Sequence, residues 1–465
     1  MKKFLIILLT IALSLPLYAQ EGVSSEVEAN DEYTGSVELM EPDEDINVGE
    51  EDHGAAFAGE QSKQKEAFGE DFRPDQQKKE FVFARQLFEL GFDVGAGLDN
   101  DLMAVSDFFQ KNIVLDLDKV EDLVGDDGLN LNLVLAGGLF INVKNIDIQD
   151  GIWDFGFFAG ADGNIHGNMP QSLFTLISQG NIHKHSFEGM ISASGGIYAN
   201  AGLRASAKYG DLRLGVKPAL FAPIVFIPKS GIKYELDTEE GIWLTSSGEI
   251  NIYSPLGEDG QFTGLQFGFD MSLEGEYNLF SFLDVGGSFS RIPIAPANMK
   301  NRMKMTMADK EGKPIEVDIK GEDFLEGKDV SEQIPDFDSL EFDTTYDTDA
   351  LYKVRRPMRF DVYARYKPFN TEILAVVPNL GFSVDINEKQ GYFNAGLEVQ
   401  TNVKDLFYAH LGTGCEEAVW KHRFGLALNL RAFEWGIEAA LRSQNFAGSF
   451  KAQGFGVNTG IRFGW

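Results

Sequence analysis

Cysteine is almost missing from this sequence: Cys415 is the one thiol in 465 residues, so no internal disulfide can staple a fold. Basic residues are also scarce, 40 against 72 acidic ones. The formal net charge of −32 argues against nucleic acid or anionic lipid headgroups as electrostatic partners. After residue 17 no uninterrupted apolar run approaches the ~18 residues of a transmembrane helix, which excludes a helical membrane span. Histidine occurs six times, never in a Ser/His nucleophile setting, and no Gly-x-Ser-x-Gly elbow is present. No enzymatic chemistry and no cofactor are therefore expected. His183 and His185 share a face of an extended segment but lack a third ligand. Asp347-Thr348-Asp349 lacks the spacing and glycine of a calcium loop, so no metal is expected either.

What is present begins with MKKFLIILLTIALSLPLYAQ. Two lysines, an apolar run from Phe4 to Leu17 and a small residue at Ala19 read as a secretory signal peptide over 1–19, cut after Ala19. No cysteine lies near that site, which excludes a lipoprotein. Acid is then concentrated in two places. Residues 21–80 hold 19 Asp/Glu against 5 Lys/Arg, and 321–350 hold 11 acids against Lys328. Both have few apolar residues in any period. They read as a flexible leader over 20–80 and a solvated loop inserted into a body spanning 81–465.

The body is built on alternation. In QGFGVNTGIRFGW, which ends the sequence, Phe455, Val457, Ile461, Phe463 and Trp465 alternate with glycines, Asn458 and Arg462. Successive side chains of a strand point to opposite faces, so this is a strand with one apolar and one small, polar face. The same pattern recurs in TGLQFGFDMSLEGEYN, in VWKHRFGLALNLR and after Phe433. Further stretches start near Asn130, Ile152, Phe187, Leu212, Trp243, Leu283, Met303, Met358, Leu374 and Phe393. Charges fall on the polar face throughout, apart from Arg291 and His422 near proposed strand ends. Facing lipid at mid-membrane, each Lys or Arg would cost ~2–4 kcal/mol, so one register is imposed. The spacing predicts an all-β protein: a transmembrane, antiparallel up-and-down β-barrel of about 14–16 strands. Helical spacing in 101–111, 116–124 and 171–180 adds short helices in loops or a lumen plug.

Ile461, Phe463 and Trp465, at alternate positions up to a final aromatic, resemble the C-terminal strand signal of bacterial outer-membrane barrel proteins. That resemblance implies an integral outer-membrane location, contact with outer-membrane lipid, and the barrel-assembly machinery as a partner. The Gly- and Phe-rich texture is similar to uncharacterised barrels of spirochaetes and Bacteroidetes, and loosely to FadL-like fatty-acid transporters, although the Asn-Pro-Ala hatch motif is absent. With the last strand ending in the periplasm, loops 386–390, 413–419 and 443–451 and the acidic insertion 321–350 come out extracellular, and the leader periplasmic.

Two sets of residues bear on function. Arg359, Asp361, Arg365, Glu398, Arg423, Arg431, Glu434, Glu438, Arg442 and Arg462 occupy polar faces and are expected to line the lumen, setting its ion preference or tying it together by cross-strand pairs. The segment PALFAPIVFIP, with Leu220, Phe221, Ile224, Val225, Phe226 and Ile227, has no charge and three prolines that oppose strand pairing. It reads as an external apolar lip that captures a hydrophobic ligand or rests on the outer leaflet. The leading expectation is a channel for small solutes. The alternatives are a FadL-like transporter of hydrophobic ligands and a closed barrel displaying 321–350 as an adhesin or structural surface protein.

Overall fold

A computed structural model describes residues 87–100, 128–148, 151–179, 186–239, 241–257, 260–308, 316–320, 341–348, 350–369, 373–404, 406–430, 432–444, 446–451 and 453–464. The signal and leader, the candidate helices 101–111 and 116–124, the histidines near 183, most of the acidic insertion, Arg431 and Trp465 lie outside them.

The wall begins with β1 (Phe88–Asn100), β2 (Leu129–Ile148) and β3 (Gly151–Met169). After the helix α1 (Gln171–Gln179) come β4 (Ser186–Tyr209) and β5 (Leu212–Asp237), both far longer than a membrane crossing needs. The chain then descends twice over the same neighbour. β6 (Gly241–Tyr253) pairs with the upper part of β5, and β7 (Gly268–Phe280) pairs with its lower part, Leu212 to Phe221. The next ascent is similarly divided, into β8 (Leu283–Ala295), β9 (Ala297–Met299), β10 (Arg302–Ala308) and β11 (Glu316–Lys320). The following descent is β12 (Glu341–Asp347), β13 (Tyr352–Val354) and β14 (Met358–Tyr366).

Regular hairpins complete the wall: β15 (Leu374–Asp385), β16 (Gln390–Val403), β17 (Phe407–Glu416), β18 (Val419–Asn429), β19 (Phe433–Ser443) and β20 (Gly454–Gly464), with the short helix α2 (Phe446–Phe450) before the last.

At the lower level the pairing runs β1 to β5, then β7, β8 and β14 to β20, and β20 returns to β1. That is a closed hoop of fourteen strands with no free edge. Counting alternating stretches gives sixteen because those near Trp243 and Leu265 are two parts of one descent. The stretch near Met303 lies above the hoop, on an outer ribbon in which β6 pairs with β10 and β11, and β10 with β12. Among the described residues β9 and β13 pair with each other and with no other strand. Among the described residues no helix is long and apolar enough to cross a membrane.

The hoop is inside out. Phe92, Leu380, Phe393, Leu411 and Phe424 are exposed on the outer face, while Asn132, Glu398 and Arg442 are buried on the inner one. One departure from alternation corrects the sequence reading. Arg291 does not face lipid: a β-bulge sets Ser290 and Arg291 against Ser272, Arg291 takes φ +56°, and its side chain reaches Asp162 at 3.4 Å. His422 does stay on the outer face, stacked on Phe450 of α2 with ring centroids 4.1 Å apart.

Candidate functional site

The lumen collects its charges by strand geometry. On β14, Arg359, Asp361, Tyr363 and Arg365 stand at every second position and so project together into a cavity of about 170 Å³ in the lower barrel. Opposite them, β4 and β5 contribute Arg204, Arg213 and Lys217, while β1, β2 and β20 contribute Glu89, Lys144 and Arg462. Glu274 on β7 accepts from Arg204 at 3.1 Å and Lys217 at 3.0 Å. Glu89 accepts from Lys144 at 2.6 Å and lies 3.5 Å from Arg462. Arg213 pairs with Asp154 at 3.0 Å, and Arg359 with Asp361 at 2.7 Å. Glycine provides room for rings here: a Cβ on Gly91 would sit 2.1 Å from the Phe140 ring, over which the Arg462 guanidinium lies at 5.4 Å.

A second cavity of about 150 Å³ lies against the first, with Phe140, Asn142, Arg204 and Lys217 in both linings. It is spanned by an ionic bridge between distant wall strands. Arg356, just before β14, donates to Asp162 of β3 at 2.9 and 3.1 Å and to Asp270 of β7 at 3.4 Å, and Arg291 approaches the same Asp162.

Next to that bridge is an apolar cluster. Tyr198, Phe221, Phe226, Tyr253, Ala297, Met299 and Val354 are all buried, with Ala350 and Tyr352 packed against them. Phe221 covers Gly268, where a Cβ would meet its ring at 2.3 Å and the backbone of Ala297 at 2.8 Å, so the β9–β13 ribbon runs over the inner face of the wall. Arg356 lies 6.0 Å from the Phe221 ring and joins the polar and apolar layers.

The sequence-derived residues distribute as follows. Arg359, Asp361, Arg365 and Arg462 line the larger cavity. Glu398 and Arg423 line a small recess with Glu416 and Lys421, where Glu416 accepts from both Arg423 and Lys421. Glu434 is 3.9 Å from Arg462, and Glu438 shares a hydrogen bond of 2.7 Å with His410. Arg442, 1% exposed, is locked on Asp99 at 2.8 Å. Of the terminal signal residues, Phe463 is exposed on the outer face against Phe433, at 5.4 Å between centroids, and Ile461 is half-buried.

The expected apolar lip is not a loop. Residues 218–228 run inside β5, and Pro218 and Pro223 both hold strand register positions. Leu220 is 52% exposed outward. Phe221 and Phe226 turn inward to the cluster, Val225 and Ile227 are buried, and Ile224 is half-buried. From Phe221 to Ile227 the alternation is masked because successive residues are covered whichever face they occupy. Sequence reasoning also missed Arg356, which belongs to no strand, and Lys144, which lies in β2 where Asn145 takes φ +58° and the register shifts.

No protein-family model matches the chain, and no curated protein matches it by sequence. Solved structures do match. The P. putida toluene transporter TodX is 9% identical, with a TM-score of 0.40 over 81% of this chain and 89% of that one. The Ralstonia pickettii toluene transporter TbuX gives the same identity, TM-score and coverages. A Pseudomonas aeruginosa FadL homologue is 8% identical, with a TM-score of 0.38 over 82% of this chain and 90% of that one. The closed hoop itself rests on the strand pairing, with β20 joined to both β19 and β1, and the cargo of those proteins is theirs.

Proposed function

We propose that this barrel is an outer-membrane transporter of hydrophobic ligands rather than an open diffusion pore. The observation that carries the reading is the aromatic cluster around Phe221 and Phe226, a continuous apolar surface inside a barrel whose lower lumen is lined mainly by charged and polar side chains. A hydrophobic solute gains free energy on such a surface and none along the charged wall. The occupant of that surface in this structure is the β9–β13 ribbon, three residues paired with three. An isolated two-stranded ribbon is marginally stable, so a ligand can take its place. Lumen charges as buried as Arg365, Glu398 and Arg442 argue in the same direction, because an open aqueous pore leaves such groups wet.

In this reading residues 1–19 direct export and are removed, the last strand engages the assembly machinery, and the lower rim faces the periplasm. Turns of two residues at 210–211 and 281–282 lie on that rim, whereas the upper rim carries the long connections 101–128 between β1 and β2 and 444–453 between β19 and β20, which supports this orientation.

The test is binding of a fluorescent fatty acid and of a monoaromatic hydrocarbon to the detergent-folded mature chain. Saturable binding that Phe226→Ser weakens at least tenfold is expected, together with no steady conductance steps in a planar bilayer. Large, stable steps with no hydrophobic binding would overturn it. A second reading, passage of small polar solutes, is favoured by the charge-lined lower cavity and would give those steps.

A further inference from the structure

We propose that two projections from the outside of the barrel, the aromatic patch on α2 and the hairpin 254–267, seat in the upper headgroup interface of a lipid bilayer and hold the barrel at a fixed depth. Neither belongs to the wall. α2 follows β19, and the hairpin joins β6 to β7 within the divided descent. On the hoop they lie nearly opposite, with β8 and β14 to β18 between them on one side and β1 to β4 on the other.

Their heights agree. Gly268 pairs with Phe221, which stands nine residues up β5 from Leu212 at the lower turn. At ~3.3 Å per residue and a tilt of about 40° that is ~23 Å, close to the ~25 Å of a transmembrane apolar band. Trp420 stands eight residues along β18 from Leu428, ~20 Å by the same geometry. Both projections therefore start where hydrocarbon gives way to headgroups, the level at which aromatic rings collect.

On α2, Phe446 and Phe450 are exposed, with ring centroids 5.2 Å apart, and Phe446 packs on Trp420 at 4.8 Å. His422, beneath them on the outer face, indicates what covers the patch. An imidazole turned toward lipid is costly unless its nitrogens are bonded within the protein. Here Nε2 meets Ser449 Oγ at 2.9 Å and Nδ1 meets Thr413 Oγ1 at 3.0 Å, so neither nitrogen needs water. The patch continues down β18 into the exposed Phe424 and Leu428.

In the hairpin, Leu256 and Phe262 face each other in a bridge, which sets both side chains on one side, and both are exposed. Phe267, 61% exposed, continues the outward face of Phe269, whose partner Leu220 is exposed on β5. The backbone is bonded to itself, from Gly257 N–H to the Gln261 carbonyl at 2.9 Å and from Thr263 N–H to the Pro255 carbonyl at 2.8 Å. Glu258 and Asp259 stand in the same sequence, and carboxylates stay in water, so the contact is with headgroups and the first part of the acyl chains. No residue of the inner aromatic cluster takes part, so this inference and the hydrophobic-ligand reading can fail separately.

The experiment attaches a fluorophore to single cysteines, Phe450→Cys or Phe262→Cys, each with Cys415→Ser, in the folded mature chain reconstituted into phosphatidylcholine vesicles. Lipids brominated near the headgroup end of the acyl chain are expected to quench both labels. Aqueous iodide is expected to quench them about threefold less than a label at Tyr346→Cys on the outer ribbon. Phe446→Cys and Leu256→Cys lie in the same two patches and take over where a first variant does not fold. Iodide quenching equal to that at Tyr346, without quenching by lipid, would overturn the docking and leave the surface to a protein partner. Depth is read from a label at Leu411→Cys in the middle of β17, which is expected to respond most to bromine deep in the chain. Adding Phe262→Ser and Phe450→Ser together is expected to spread that response over several bromine positions, and an unchanged depth profile would overturn the holding role.

Discussion

Two arginine–aspartate pairs, one in the hoop and one in the outer ribbon, make contacts of almost the same length. Arg442 meets Asp99 at 2.8 Å with the side chains 1% and 5% exposed, and Arg302 meets Asp347 at 2.6 Å with 23% and 39% exposed. Distance alone would rank the ribbon pair higher. Burial reverses the ranking, because in the hoop neither partner has water to fall back on when the other is removed. The hoop therefore concentrates its stability in inward-facing polar contacts, and the ribbon, paired strand to strand above it, does not depend on its charges.

Substitutions can break that contrast. The largest effect is expected from Arg442→Ala, which strands Asp99 beside Asn132 and should cost about 3–5 kcal/mol in a urea titration of the folded barrel. A loss under 1 kcal/mol would place the hoop pair in the same class as the ribbon pair. Next comes the outward face: Leu411, 62% exposed in the middle of β17, should cost about 2–4 kcal/mol as Leu411→Lys when folding into lipid vesicles is measured. A neutral result there would mean that this face meets water.

Arg302→Gln should change the same titration by about 0–1 kcal/mol, and a larger loss would show that the ribbon leans on its ion pairs after all. The smallest effect concerns Glu249, on β6 in the ribbon, 3.2 Å from Lys304. Burial pushes its carboxyl up, but the hydrogen bond from Asn251 and the ammonium of Lys304 outweigh it and hold the group below the usual carboxylate range. Its contribution is therefore present above the unfolded pKa and lost as pH falls through the lower, folded one. A ¹³C titration of labelled Glu249 should show a midpoint below that of a free glutamate; an ordinary midpoint would remove the pair's influence.

Legibility in the sequence follows the same division. From Met358 to Gly464 each strand has lipid on one side and polar contacts on the other, and alternation reveals both the strands and Arg359, Asp361, Arg365 and Arg462 as lumen residues. Between Leu212 and Met358 that physical asymmetry fails. Residues 221–227 are covered on both faces, β6 and β7 divide one descent, and a single extra residue at the bulge carries Arg291 from the apparent lipid side to the lumen. Arg356 acts from outside any strand, so no periodicity could mark it. The lower cavity was hidden for another reason: its lining comes from β1, β2, β4, β5, β7, β8, β14, β15 and β20, and only closure of the hoop brings these strands together.

That closure has a consequence for how the protein is made. The seam where β20 meets β1 joins groups no closer in sequence than the Asn100 amide and the Gln453 carbonyl, 353 positions apart. Contacts of such separation are the slowest to form, since nearly the whole chain must be in place before the seam repays the entropy of joining its ends. Until then β1 and β20 each present an unpaired edge able to recruit a strand from another molecule. The time between synthesis and seam closure, more than the depth of the folded well, then decides whether a chain reaches the membrane or aggregates on the way.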